Sequence, residues 1–375
     1  MATLMSGAKM LLECLAREDV DCIFGYPGGV TLPLYDAIYE SPMRHVLVRH
    51  EENACFAAEG YARSTGRTGV CCATSGPGAT NLVTGLVNAL MDSIPVVAIT
   101  GQVHSKLIGS DAFQEADTFG LTRSGTKHNY LVKNIHDLPR VVHEAFYIAN
   151  SGRPGPVLID IPKDVFQAQA HYAPVTTIHL PGYKLNLDGH TGQIRRAAQM
   201  IAESRQPLFY IGGGAISSDA SEELIQLVEK VDAPAVCTLM GLGAIPTTHP
   251  NFISMPGMHG SYAANMAMTE CDLLIALGTR FDDRVTGRLS AFAPHAKVIH
   301  VDVDPGQLGK NIMPDLGICA DAKLTLQALL AEIGRRGIKP APAKTEVAIA
   351  RSQMERKTDY DDVPIKPQRV FREIN

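Results

Sequence analysis

The chain predicts an α/β protein built from two doubly wound parallel-sheet domains, and three observations carry that reading. Short apolar runs rich in branched residues alternate with helical patterns through the first 170 or so residues. The same alternation resumes after a polar stretch from Gln169 to Gly192 that holds Pro174, Pro181 and Gly182. In both halves, glycine-bearing and charged loops fall directly after the apolar runs. Strands apolar on both faces and separated by helices imply a parallel sheet covered on both sides. Ligands of such sheets sit beyond the carboxyl ends of the strands.

In the first domain, residues 1–170, strands are expected at Cys22–Gly25, Val46–Val48, Val70–Ala73, Val96–Thr100 and Val157–Ile161. Helical patterns lie at Leu32–Tyr39, Ala54–Arg63, Thr80–Met91 and Leu138–Ala149, and an earlier one starts near Met10 and Leu11. A linker is expected over 171–190. The second domain, 191–338, has strands at Leu208–Ile211, Ala235–Thr238, Leu273–Leu277 and Val298–Val303, with helices at Ile194–Ala202, Ser221–Val228 and Ala322–Arg335. Gly212-Gly213-Gly214 follows its first strand. The run is not a full G-x-G-x-x-G and no acid is clearly placed about 20 positions on, so a tight strand-to-helix turn explains it equally well. Residues 336–364 are rich in Pro, Lys and Asp and read as a second linker. Pro367 then suits the first turn of a new helix with an apolar stripe at Val370, Phe371 and Ile374. We expect 339–375 to be a linker plus the first helix of a third domain that this chain lacks.

Composition narrows the function classes. Hydrophobic residues make up 45% and charged residues 19%, as in a globular protein with ample core. A net charge of -5 favours neither nucleic acid nor an anionic membrane. No leader pattern and no bilayer-length apolar run is present. The eight cysteines form no C-x-x-C pair and lie mostly in apolar surroundings, as reduced core thiols of a cytoplasmic protein would.

The most informative stretch is His50-Glu51-Glu52, followed by Ala58-Glu59-Gly60-Tyr61-Ala62-Arg63 and then Thr74-Ser75-Gly76-Pro77-Gly78-Ala79-Thr80-Asn81. Taken singly, Glu51 is what the positive end of a helix favours. Gly76-Pro77-Gly78 is a turn that lets backbone approach a flat ring closely, and Tyr26-Pro27-Gly28-Gly29 is a β-turn signal. Taken together, these segments resemble the pyrimidine-binding domain of thiamine-diphosphate enzymes, most closely the acetohydroxyacid synthase (acetolactate synthase) large catalytic subunits.

That resemblance implies a thiamine-diphosphate site in the first domain. Glu51 would hydrogen-bond the aminopyrimidine ring nitrogen, with Pro27, Gly28, Gly29, Gly76, Pro77, Gly78 and Asn81 around the ring. Phe113 and Gln114, in the irregular stretch Gly109–Glu115, would line the active site across a dimer interface. Lys163 would lie near the substrate entrance and Arg153 would meet a flavin. The second domain would be a Rossmann-like FAD domain. Its contacts would come from Gly212, Gly213, Gly214, Thr238, Leu239, Met258, His259, Gly260, Gly278, Arg280, Asp282, Arg284, Val285, Asp302 and Val303, with Asp321 and Ala322 closing the pocket. A surface ion-pair loop would account for Asp282, Asp283 and Arg284 without a ligand.

The family's magnesium and diphosphate motif, a G-D-G followed by an Asn, is not found in this sequence. Mg2+ ligands are therefore expected in the missing third domain. The implied activity is the decarboxylative condensation of pyruvate with pyruvate or 2-oxobutyrate, on the route to branched-chain amino acids. It implies a homodimer or higher oligomer and a separate small regulatory subunit, and this fragment alone would be inactive. Pyruvate oxidase, another flavin-containing carboligase, or a non-catalytic FAD-binding module remain alternatives. Glyoxylate carboligase lacks the catalytic Glu, so Glu51 argues against it.

Overall fold

The computed structural model describes residues 3–338 and 358–374. The chain divides into two units, Met1–Leu185 and Asn186–Asn375. Each has its own six-stranded sheet, parallel throughout.

In the first unit the strands are β1 (Leu4–Ser6), β2 (Cys22–Gly25), β3 (Arg44–Leu47), β4 (Gly69–Ala73), β5 (Val96–Gln102), β6 (His128–Leu131), β7 (Val157–Pro162) and β8 (Gln169–His171). The main sheet runs β3-β2-β4-β5-β7-β6. Two apolar layers cover it. One is made of larger side chains, including Leu11, Leu15, Ile23, Ile99, Ile159 and Phe166. The other is built from small ones, Ala54, Cys55, Ala58, Cys71, Ala73 and Ala98. The small layer lets the helix Glu51–Thr65 approach the sheet closely: a Cβ at Gly69 would lie 2.0 Å from the Ala58 carbonyl oxygen. That helix starts on His50, whose ring accepts the Glu52 N–H, and stops at Gly66 in the left-handed region with φ 71°.

Three strands here were not expected. β6 is a short edge strand, and β1 pairs antiparallel with β8 so that Leu4 faces His171. The expected linker therefore begins with a strand, and at its far end the helix Thr191–Glu203 already includes Gly192. Pairing across more than 160 residues leaves no periodicity to read. The expected single helix Thr80–Met91 is two, Pro77–Thr80 and Val83–Asp92.

The second unit contains β9 (Pro207–Ile211), β10 (Ala235–Cys237), β11 (Phe252–Ser254), β12 (Leu273–Leu277), β13 (Lys297–Asp302) and β14 (Leu316–Cys319). Their order is β11-β10-β9-β12-β13-β14. Counted within this unit, that is the 3-2-1-4-5-6 order of dinucleotide-binding sheets, with the switch point between its first and fourth strands. The edge strands β11 and β14 and the helix Tyr262–Glu270 were not expected, being short or weakly patterned. The helix Pro367–Ile374 forms where expected and buries none of its residues. The expected linker over 339–357 lies outside the described residues. Among the described residues no helix is long and apolar enough to cross a membrane.

Candidate active site

The first unit's sheet reverses its winding between β2 and β4, so a crevice opens beyond their carboxyl ends. The loops that leave these strands meet there. Thr31, fully buried, accepts the Gly28 N–H at 3.2 Å and donates to the Gly28 carbonyl at 3.1 Å, which sets the turn after Pro27. A Cβ at Gly28 would lie 2.4 Å from the Thr74 side chain, and one at Gly101 would lie 2.6 Å from Val30. Only glycine allows these three loops to close on one another. Gly29, in contrast, faces open space.

Glu51 enters from the helix after β3. Its Oε2 accepts a hydrogen bond from Asn81 Nδ2 at 3.0 Å. A Cβ at Gly78 would come within 2.7 Å of Thr74 Cγ2 and 3.4 Å of Glu51 Oε1, so the bare glycine faces the carboxylate. Pro77 starts the short helix that presents Asn81. Beside this cradle Thr74 Oγ1 and Ser75 Oγ are buried and find no partner among the described residues. Buried hydroxyls normally have one, and a glycine-lined crevice with orphaned hydroxyls and a held carboxylate fits a flat, polar heterocycle. Thr74 and Ser75 were not among the predicted contacts, although they open the same motif.

Gly76 joins a further loop to the crevice. It adopts φ 58°, and a Cβ there would sit 2.6 Å from the Gln114 carbonyl oxygen. Gln114 itself has φ 57°. The structure thus brings Gln114 to the Glu51 site through its backbone, while Phe113 is 89% exposed. Lys163 opens the helix Lys163–Gln167 at the end of β7, on the same edge of the sheet, and is half-buried.

Arg153 takes a local role. Its Nε donates to Ser93 Oγ at 2.8 Å and an amino group donates to the Leu90 carbonyl at 3.2 Å, which caps the carboxyl end of the helix Val83–Asp92.

In the second unit the switch point lies between β9 and β12. The glycines at their ends touch: a Cβ at Gly212 would lie 2.2 Å from the Gly278 carbonyl oxygen, and one at Gly214 2.6 Å from Gly278 Cα. Gly278 has φ 56°. Gly213 begins the helix Gly213–Ser217, and Thr238 caps the turn Leu239–Gly241 on the neighbouring strand. The Met258 N–H donates to the Arg284 carbonyl at 2.9 Å, which joins the Gly257–Gly260 turn to the segment of Arg284 and Val285. Met258, His259 and Arg284 are exposed around it. Arg280 pairs with Asp282 at 2.5 Å, and Asp282 also caps the Arg284 N–H. Asp302 ends β13 and accepts the Asp304 N–H, which fixes the turn at Val303.

Asp321 is held by bonds within the unit. One carboxylate oxygen caps the Leu324 N–H and the other accepts from Ser218 Oγ at 2.7 Å, so it fastens the helix Ala322–Arg336 to the glycine-rich segment, and Ala322 is buried. Sequence reasoning also missed His300. It is fully buried, donates Nε2–H to the Thr279 carbonyl at 2.9 Å and packs edge-on against Phe281. Burial lowers its pKa to about 4, so it is a neutral prop under the 278–284 loop.

Two family models match, one for each unit's sheet. Residues 5–121 match the thiamine pyrophosphate enzyme N-terminal TPP binding domain, and 194–329 match the thiamine pyrophosphate enzyme central domain. The chain thus carries the N-terminal and central domains of thiamine pyrophosphate enzymes. It is 50% identical over 99% of its length to a "probable acetolactate synthase large subunit" of Methanocaldococcus jannaschii, covering 63% of that protein. It is 55% identical over 92% of its length to an acetolactate synthase of Mycobacterium bovis, covering 55%. Against acetolactate synthase isozyme 2 large subunit of Escherichia coli it is 50% identical over 87% of its length, covering 59%. The chain spans little more than half the length of these curated relatives.

Proposed function

We propose that this chain supplies the pyrimidine-binding and flavin-binding parts of an acetolactate synthase large subunit. Its reaction would be the decarboxylative condensation of pyruvate with pyruvate or 2-oxobutyrate. The observation that supports this reading most is the Glu51 carboxylate, aimed by Asn81 beside the Gly28, Gly76 and Gly78 cradle. Thiamine diphosphate, when bound, supplies the nucleophilic carbon that the side chains of proteins lack.

The residues here have simpler tasks. Glu51 holds a proton at the ring nitrogen of the aminopyrimidine, and Asn81 fixes which carboxylate oxygen faces that nitrogen. The glycines admit the ring, and Thr74 and Ser75 offer their hydroxyls to its polar edge. Phe113, Gln114 and Lys163 are the residues we assign to the 2-oxo acid channel. Arg153 is assigned to its helix cap in this chain and only secondarily to a flavin.

We assign FAD to the second unit. The 3-2-1-4-5-6 strand order and the glycine contact at its switch point support this, because backbone without Cβ atoms can approach a pyrophosphate. Asp302, at a strand end, suits ribose hydroxyls, and Arg280 and Arg284 suit phosphate or ring. The condensation involves no net redox change, so the flavin would be structural. Mg2+ and the diphosphate are assigned to residues outside this chain, in keeping with the greater length of its relatives. Their large-subunit names support a small regulatory subunit as partner. The exposed Phe113 beside the site supports a homodimer. The eight unpaired cysteines suit the reducing cytoplasm.

The test is to incubate the full-length protein with pyruvate, Mg2+ and thiamine diphosphate. Acetolactate formation without flavin reduction is expected. Anaerobic bleaching of the flavin by pyruvate, with no acetolactate, would instead make it an oxidase.

A further inference from the structure

We propose that Asp160 and Asp164 are positioning residues: from one strand-to-helix segment they hold both ends of the 103–117 loop, and so keep Gln114 seated on Gly76. Asp160 lies inside an otherwise apolar strand, β7, and is 1% exposed. Its two oxygens accept from Thr100 Oγ1 at 2.7 Å and Gln102 Nε2 at 2.9 Å. The Gln102 side chain, oriented this way, reaches both ends of the loop. Its Oε1 accepts the Val103 N–H at 2.8 Å, and its Nε2 also donates to the Ala116 carbonyl at 2.9 Å.

Asp164, one turn further along, accepts the Ser105 N–H at 2.8 Å and Ser105 Oγ at 2.6 Å. Between these ties, among the described residues, the loop's hydrogen bonds are internal to it, with Glu115 accepting the N–H groups of Gly109 and Ala112. The loop tip meets the crevice where the Gln114 backbone lies against Gly76.

A purely structural role would look different. The other buried carboxylates of this unit, Glu59 and Glu144, are 3% and 4% exposed; Glu59 binds Asn88 and Arg63 on helices, Glu144 binds Arg140 on its own helix and Tyr130 on β6, and neither reaches a loop of the crevice. Burying a carboxylate is costly, and apolar replacement of such groups is often neutral or stabilising. Asp160 gives one oxygen to Thr100 within the sheet and the other to Gln102, the residue that ties both ends of the loop. Its bearing on substrate rests on the proposed reading of Glu51, but the mechanical claim does not.

The test uses the full-length protein and the rate of chymotryptic cleavage after Phe113, which requires the loop to open, followed by mass spectrometry. D160N and D164N are each expected to speed that cut roughly tenfold, the effect of losing a hydrogen bond to a charged group on a local opening equilibrium. E59Q, compared at the same interval below its own melting temperature, should cut at the wild-type rate. The double variant D160N with Q102E restores a donor–acceptor pair in the core but leaves the Ala116 carbonyl without its amide. It should therefore regain melting temperature and still be cut fast. In activity assays D164N should raise the KM for pyruvate several-fold while thiamine-diphosphate affinity holds.

Wild-type cleavage rates in both D160N and D164N would overturn the proposal, as would equal acceleration by E59Q or full protection in the double variant. If D160N does not fold, D164N carries the test, since the Asp164 side chain is 28% exposed and tolerates change. A full-length protein with no acetolactate synthase activity would sink the functional reading and leave the cleavage result standing.

Discussion

Asn81 donates its side-chain amide to Glu51 across 30 positions of sequence, at 3.0 Å, and so holds the carboxylate in the crevice. The carboxylate needs such a partner because the helix it begins would otherwise leave it free to turn to solvent.

Replacing that acid should separate fold from activity. Glu51→Gln keeps the shape and the Asn81 neighbour but cannot hold a proton at the pyrimidine as a carboxylate does. In the full-length protein, turnover should fall by about 10²–10⁴, the usual worth of a positioned acid–base group. The circular dichroism spectrum and melting temperature should stay put. Near wild-type kcat at saturating cofactor would remove Glu51 from the catalytic role.

Gly76→Ala meets two obstacles at once, a φ of 58° and the Gln114 carbonyl oxygen 2.6 Å from the new Cβ. The expected cost is roughly 1–3 kcal/mol, typical of a residue forced into a sparsely populated region. Urea unfolding measures it. Gly29→Ala, where a Cβ meets nothing, is the matched control.

Flavin retention should depend on the glycine contact in the second unit. The full-length protein should turn yellow with FAD and melt higher in its presence. Gly214→Val should abolish both, because its Cβ would lie 2.6 Å from Gly278 Cα. A wild-type protein that stays colourless in excess FAD would refute the assignment.

Asp160 predicts a pH dependence. Burial raises its pKa from 3.8 to about 7, against the hydrogen bonds from Thr100 and Gln102 that favour the charge, and the nearby Asp117 adds to the rise. The folded state then keeps a proton that the unfolded state has lost, so stability should fall as pH rises from about 4 to 7. The carboxylates held low, such as Asp164 and Asp272, change stability with the opposite sign and below that window. Asp160→Asn should flatten the slope between pH 5 and 7 in urea titrations. An unchanged slope would place the Asp160 titration elsewhere.

The alternation of strands and helices was legible because each run carries its own period and its own punctuation. Cys22–Gly25, Leu32–Tyr39 and Leu273–Leu277 fall on the expected residues. The strands that escaped, β1, β6, β8, β11 and β14, are three or four residues long, too short to carry a period, and are defined by the strands they pair with. Asp160 left a trace that could have been read, a lone acid in an apolar strand. His300 and the helix cap of Arg153 left none, since a buried histidine and a surface arginine look alike in sequence.

By itself the sequence determined the class of each unit, the loops at the strand ends, and Glu51 as the acid among them. Those features depend on local periodicity and turn chemistry, which neighbouring residues carry. Tertiary structure alone decided the strand orders, and with them which loops share a crevice. It also decided that Asn81 turns to Glu51, that Gln114 rests on Gly76, and that Asp160 and Asp164 clamp one loop. Such contacts form where buried polar groups must find partners and where a missing Cβ lets two backbones touch, and neither condition is written in the spacing of residues along the chain.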